Sequence, residues 1–372
     1  MKKSILAAII VAVAVICGVS AYAIQGLDET KSTRILANDG YATLTAESVG
    51  GTVSTTSSAL LAAAGSSYPG VHVTDTYSVF TLDAAFINSL LASTNSDVIS
   101  FQFKYNLAKT AVTFTIRDGD GNAIFAPKGR CVGELPYQAE SSANDNHVYV
   151  LNPSSDPVAM SSYYPDAGYV HFQLKTNGTY TVSTKNASFS DTTNHWGRNY
   201  IEFLASRGVA NGVGNGLFSP NGTVTRAQYV MFLANISMDD VSSYNSNRFS
   251  DVSSGAWYYH AVSWAVQNKI TSGVSTVLFA PNQNVTREQM TELTKNFFNY
   301  MGIEMKPIRS AANFSDESKI SAWAKDSVGR CQTMAIISGY PNGTFGPQGN
   351  ATRAEAATIC SRVIAYSMLL PQ

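Results

Sequence analysis

The chain has 372 residues with 25 Lys+Arg against 26 Asp+Glu, a net charge of −1 at neutral pH. That balance excludes nucleic-acid binding by bulk electrostatics, because there is no basic excess to release counterions. Hydrophobic content of 45% excludes wholesale disorder, and the length suits two or three folded units, each with its own core.

Lys2 and Lys3 precede an apolar run from Ile5 to Ile16, followed by Gly18 and Ala21-Tyr22-Ala23. A charged start, a short apolar core and an A-x-A site predict a secretory signal peptide over 1–23. The run is shorter than the ~20 residues of a spanning helix, so no membrane span is expected after cleavage. Cys17 leaves with the signal. The remaining Cys131, Cys331 and Cys360 lie in no C-x-x-C or Cys/His cluster, so buried thiols are expected, with neither metal nor cofactor.

Residues 24–58 are rich in Ser, Thr, Ala and Gly and predict a flexible lead-in or a poorly defined first strand. Over 59–185 the pattern turns to period two. Val112, Phe114 and Ile116 alternate with Thr113, Thr115 and Arg117; Val170, Phe172 and Leu174 alternate with His171, Gln173 and Lys175. Strands buried on one face predict an antiparallel, sandwich-like β domain, with His171 on the solvated side. Asp83 is set to cap a short helix to Ala92. Asp118-Gly119-Asp120-Gly121-Asn122 reads as a hairpin turn, since Ala123 and Gly129 break the spacing of a calcium loop. The five histidines form no metal or catalytic pattern, and no nucleophile elbow is present, so no enzyme activity is expected.

After residue 186 the chain repeats three times. Phe189-Ser190-Asp191 returns as Phe249-Ser250-Asp251 and Phe314-Ser315-Asp316, each followed by a tryptophan: Trp196, Trp257, Trp323. At fixed offsets from that Trp stand Gly212, Gly273 and Gly339; Phe218, Phe279 and Phe345; Pro220, Pro281 and Pro347; and Thr225-Arg226, Thr286-Arg287 and Thr352-Arg353. A register kept three times is an internal repeat of about 60 residues. Each copy reads as helix, loop, helix over 187–236, 247–301 and 312–368. The Trp opens the first helix, the Gly ends it, the Phe plugs the pair, and the Thr with Gln228, Gln289 or Glu355 forms a capping box.

These positions resemble the S-layer homology (SLH) family, over about half the chain. The resemblance implies an all-α pseudo-threefold bundle with grooves between repeats, and non-covalent anchoring of an exported protein to bacterial cell-wall polysaccharide, a pyruvylated secondary polymer above all. The capping box accounts for Thr and Gln/Glu but not for Arg, whose guanidinium can fork onto a pyruvyl carboxylate at a helix start. Arg226, Arg287 and Arg353 are therefore the leading ligand candidates, with pairing to Asp191, Asp251 and Asp316 as the structural alternative. Trp196, Trp257 and Trp323 are expected in the core, sugar platforms being the other reading. Gly212, Gly273 and Gly339 serve backbone geometry first and groove access second. Because the third repeat has the loop nearest the family's and the full T-R-A-E, its groove is expected to bind best, so that Arg353→Ala costs more than Arg287→Ala. The expectation is a wall-anchored surface protein displaying a β-rich domain. A self-assembling S-layer lattice protein and a surface enzyme with a dispersed site are the alternatives.

Overall fold

The computed structural model describes residues 36–38, 41–65, 70–140 and 144–368. The expected signal peptide lies outside the described residues. The described residues form two compact units: one takes those up to 136 with 174–180, the other those of 137–173 with 181–368.

In the first unit, β1 (Leu36–Asn38) pairs antiparallel with β2 (Tyr41–Thr45), and β2 runs parallel to β4 (Gly70–Thr74). Next, β4 pairs antiparallel with β5 (Val79–Asp83), and β5 with β8 (Cys131–Pro136). A separate ladder joins β3 (Thr52–Thr56), β6 (Val98–Tyr105) and β7 (Ala111–Asp118). Thus the stretch expected as a flexible lead-in or a poorly defined first strand supplies β1, β2 and β3, and Ala42, Leu44 and Val53 are buried. Ser and Thr are good strand formers once half of their positions face a core. Helix α1 (Ser57–Gly65) packs on α2 (Ala84–Leu91), which Asp83 caps by accepting the amide of Phe86 at 2.7 Å, as its sequence predicts. The core is aromatic, Phe80 stacking on Phe114 at 3.9 Å. Asp118 accepts the amides of Asp120 and Asn122 and Gly121 takes φ +86°, which makes 118–122 the expected turn.

In the second unit, β9 (Val148–Leu151) pairs with residues 181–184 of β12 (Gly178–Thr184), and β10 (Ser161–Tyr164) pairs with residues 169–172 of β11 (Tyr169–Leu174). The helices follow: α3 (Arg198–Ser206), α4 (Arg226–Ser237), α5 (Tyr259–Gln267), α6 (Arg287–Met301), α7 (Lys325–Thr333) and α8 (Arg353–Met368). Here the period-two reading fails. His171 is 8% exposed and its Nδ1 donates to the Met368 carbonyl at 2.8 Å, while Gln173 is 2% exposed. Strand β11 is buried on both faces because α8 covers the side expected to meet water.

Arg207 extends this docking. It is buried and donates to the carbonyls of Ser161, Val148, Asn146 and Phe203 at 2.6–3.1 Å. Glu202, also buried, accepts from Arg198 and Asn144 and pairs with His147. Neither residue recurs in the other repeats, which carry Asn268 and Met334, and Ser263 and Gly329. The helices expected to stand alone from 187 therefore share their compact unit with strands that precede them.

The first helix of each repeat packs on the second helix of another: α3 on α8, α5 on α4, α7 on α6, with α4 touching α6 and α8. Backbone bonds close the same circuit. Val224 N–H donates to Ala351, Ala351 to Val285, and Val285 back to Val224, at 2.9–3.0 Å. Among the described residues no helix is long and apolar enough to cross a membrane.

Candidate functional site

Each second helix starts on its predicted capping box: Thr225 with Gln228, Thr286 with Gln289, Thr352 with Glu355. The residue after each Thr is then committed to the neighbouring repeat. Arg226 N–H donates to Gln283 O, Arg287 N–H to Gly349 O and Arg353 N–H to Gly222 O. The side chains follow. Arg226 Nε reaches Phe279 O, Arg287 Nε reaches Phe345 O and Arg353 Nε reaches Phe218 O, at 2.7–2.8 Å. Each guanidinium also lies over the ring of that same Phe, 4.5–5.0 Å from its centroid. All three arginines are at most 7% exposed, and burial pulls the pKa of Arg226 down to about 10 and lowers that of Arg353. The loop an Arg touches thus belongs to the next repeat in the circuit. The third repeat's loop sits with Arg287, not Arg353, and this removes the basis for ranking Arg353 above Arg287.

The aspartates hold the same loops from within their own repeat. Asp191 accepts the amides of Phe218 and Ser219, Asp251 those of Phe279 and Ala280, and Asp316 those of Phe345 and Gly346, at 2.7–2.9 Å. Burial raises the carboxyls of Asp191 and Asp316, and the amide bonds outweigh it, so both end below the ordinary value. Their oxygens face backbone donors; the influence of Asp251 on Arg226 and of Asp191 on Arg353 is through space. The two Phe of each repeat pack together, 5.3–5.7 Å between centroids, beneath the loop. Gly212, Gly273 and Gly339 let them do so. A Cβ there would stand 2.7, 2.5 and 2.8 Å from Phe189, Phe249 and Phe314.

The tryptophans correct the expectation of a core. Trp196, Trp257 and Trp323 are 62%, 61% and 52% exposed, because each precedes its helix and the apolar stripe starts only at Ile201, Val262 and Val328. Two of them face cavities. One cavity, about 540 Å³, brings together Trp196, Arg287, Gly339, Tyr340, Glu355 and Arg362. Another, about 460 Å³, brings together Trp323, Arg226, Gly273, Val274, Gln289 and Glu292. In both, one repeat supplies the Trp, a second the Arg, and a third the Gly-bearing loop. Arg353 meets Gly212's loop through Asn211 O at 2.9 Å, in the same relation.

An exposed indole beside a partly buried guanidinium is suited to a sugar face carrying an anionic group. The site also holds Tyr340, whose ring covers Arg287 at 4.4 Å, and Arg362, which sequence reasoning missed and which has no counterpart at Asn235 and Asn296. That mismatch within an otherwise strict register was the available signal.

The family model described as S-layer homology domain matches residues 188–230, 248–291 and 313–357. Among curated relatives, an amylopullulanase of Thermoanaerobacterium thermosulfurigenes is 35% identical over 225 residues, 59% of this chain and 12% of that protein. The surface-layer 125 kDa protein of Lysinibacillus sphaericus is 30% identical over 44% of this chain and 14% of its own length. A cellulosome-anchoring protein of Acetivibrio thermocellus is 26% identical over 41% of this chain and 34% of its own length. The chain therefore spans between 12% and 34% of the length of these relatives.

Proposed function

We propose that this chain, which carries three S-layer homology domains within residues 188–357, is an exported cell-surface protein held non-covalently on wall polysaccharide by the grooves between those domains. The carrying observation is the groove itself: an exposed Trp, a buried Arg and a Gly-bearing loop from three different repeats around one cavity. We take the ligand to be an acidic saccharide, a pyruvylated secondary wall polymer being the chemistry that fits, and the helices to form a pseudo-threefold bundle. The closed backbone circuit through Val224, Ala351 and Val285 supports that symmetry. The relatives' names, a surface-layer protein and a cellulosome-anchoring protein, support the surface location.

We read the N-terminal region as a displayed, sandwich-like domain without catalysis. Its histidine contacts suit structure: His72 bonds Thr81 and stacks on Tyr41. Sedimentation of the full chain with purified wall sacculi tests the anchor. Retention is expected on intact sacculi and is expected to vanish once the secondary polysaccharide is extracted. Equal retention on stripped peptidoglycan overturns the reading.

A further inference from the structure

We propose that in the groove beneath Trp196 the acidic group of the saccharide is received by Arg362 and not by Arg287. This rests on the wall-binding reading above and goes beyond it by naming the receptor. All three nitrogens of Arg287 are engaged: Nε with Phe345 O at 2.7 Å, Nη1 with Glu355 Oε1 at 2.6 Å, Nη2 with Ser338 O at 3.3 Å. Tyr340 covers one face of the guanidinium and donates its hydroxyl to the same Glu355 oxygen at 2.8 Å. The charge of Arg287 is thus already answered by a carboxylate whose other oxygen caps α8 through the Thr352 amide. An incoming anion there would meet Glu355 first, and like charges in a half-buried site repel.

The matching partner in the other lined groove is neutral. Arg226 Nη1 meets Gln289 Oε1 at 3.4 Å, and the carboxylate lining that groove, Glu292, is paired with Lys295 at 3.0 Å. In these two grooves, the residue three after Thr decides whether the buried Arg faces a carboxylate.

Arg362 lies one helical stretch further along α8, in the wall of the same cavity. Its described bonds are long and to neutral acceptors: Ile336 O and Ser338 Oγ at 3.3 Å, Tyr200 Oη at 3.4 Å. Ser338 therefore stands between the two guanidinium groups, its carbonyl on Arg287 and its hydroxyl near Arg362. Guanidinium donors held loosely by neutral oxygens exchange readily for a carboxylate, which they bind more strongly. Glu355 and Arg362 thus change together relative to the other repeats, which carry Gln228 with Asn235 and Gln289 with Asn296. Helix α8 thus carries, beyond the Arg at its start, a second cation that its sister helices lack.

The test is calorimetric titration of the full chain with a pyruvylated saccharide fragment released from wall polysaccharide, and with the same fragment after mild acid removes the ketal. Arg362→Asn installs the residue of the sister repeats, and Arg362→Lys keeps the charge. Expected is the weakening of one class of sites for the acidic fragment by about tenfold in Arg362→Asn, a smaller loss in Arg362→Lys, which keeps the charge without the fork, and no change for the neutral fragment in either. Unaltered affinity of Arg362→Asn for the acidic fragment overturns the proposal alone, as does an equal loss in both variants, which would assign the effect to packing. Failure of the unsubstituted chain to bind either fragment overturns the wall-binding reading with it.

Discussion

At the residue scale, the repeated register of Asp and Arg invites the idea of a salt bridge, and the structure divides them between two tasks. Asp316 is the clearer case. Its carboxylate ties down the amides of Phe345 and Gly346, and those bonds lower its pKa against the raising effect of burial. A carboxylate whose folded pKa is depressed contributes stability that is complete above its unfolded value, about 3.9, and is lost as pH falls through the folded value. Asp316→Asn, which retains one acceptor and presents a donor to an amide, is expected to cost about 1–3 kcal/mol at pH 7. Urea unfolding checks it: the gap from the unsubstituted protein should narrow below about pH 4. A gap that persists unchanged in acid would mean that ionisation of Asp316 is irrelevant to the loop. No sequence pattern distinguishes a carboxylate aimed at backbone amides from one aimed at an arginine two strides away, and hence Asp191, Asp251 and Asp316 were legible as a set but not in their task. The thiols were simpler. Cys331 and Cys360 are buried and free, and burial pushes the Cys331 thiol up to about 12.

At the element scale, local rules were legible and long-range ones were not. The capping boxes depend on four consecutive residues, and all three form. The ends of the first helices do not fall at the repeated Gly. They fall earlier, at a left-handed position held by Gly208, Lys269 and Ala335. The repeated Gly instead lies under a Phe from fifteen or more residues upstream, a contact that only the fold creates. Gly273 combines both demands, with φ at +86° and Phe249 pressed against where a Cβ would be. Gly273→Ala is therefore expected to destabilise by more than about 1 kcal/mol, since the substitution is strained in backbone and in space. Thermal unfolding measures it. Substitution at Gly216, which has open space around it though its φ is +71°, supplies the control for the φ penalty alone. Equal losses at the two sites would leave no role for the Phe249 contact.

At the scale of the whole molecule, the spacing alone gives three successive repeats, the bundle being expected only from the family resemblance, and the hydrogen bonds make the repeats a closed circuit. Each Arg reaches the next repeat's loop, and the last reaches back to the first: Arg353 to Phe218 and Asn211 across more than a hundred residues. Helix α3 also rests on α8, so the first helix of the series needs the last. A register of offsets is blind to this, since an open row and a closed ring share the same sequence periodicity. Buried Arg207 and Glu202 gave no motif either, because they occur once. They couple α3 to β9, β10 and the 144–147 turn, which explains why the compact unit begins well before the first repeat.

Closure has a thermodynamic consequence. In an open solenoid, removing a terminal repeat subtracts one repeat and one interface and leaves the rest folded. In this ring, ending the chain at residue 306 removes two interfaces. The carbonyls of Phe218 and Asn211 lose their guanidinium, the amides of Val224 and Arg287 lose Ala351 and Gly349, and α3, α4 and α6 lose their partners in α8 and α7. Backbone groups uncovered there turn to water, so each lost bond costs a net of about 0.5–1.5 kcal/mol, and the apolar faces of α3, α4 and α6 lose their burial as well, against a total stability of about 5–15 kcal/mol for a typical domain. The truncated chain is thus expected to lose the tertiary fold of repeats one and two as well as repeat three. Near-ultraviolet circular dichroism during urea unfolding reads this directly, because Trp196, Trp257 and Trp264 all precede the cut. The full chain should show their signal vanish in one cooperative step, and the truncated chain should show little of it in water. A truncated chain with a cooperative transition close to that of the full chain would mean that the first two repeats are held by their own interface, and that contacts with the third repeat are dispensable to the fold.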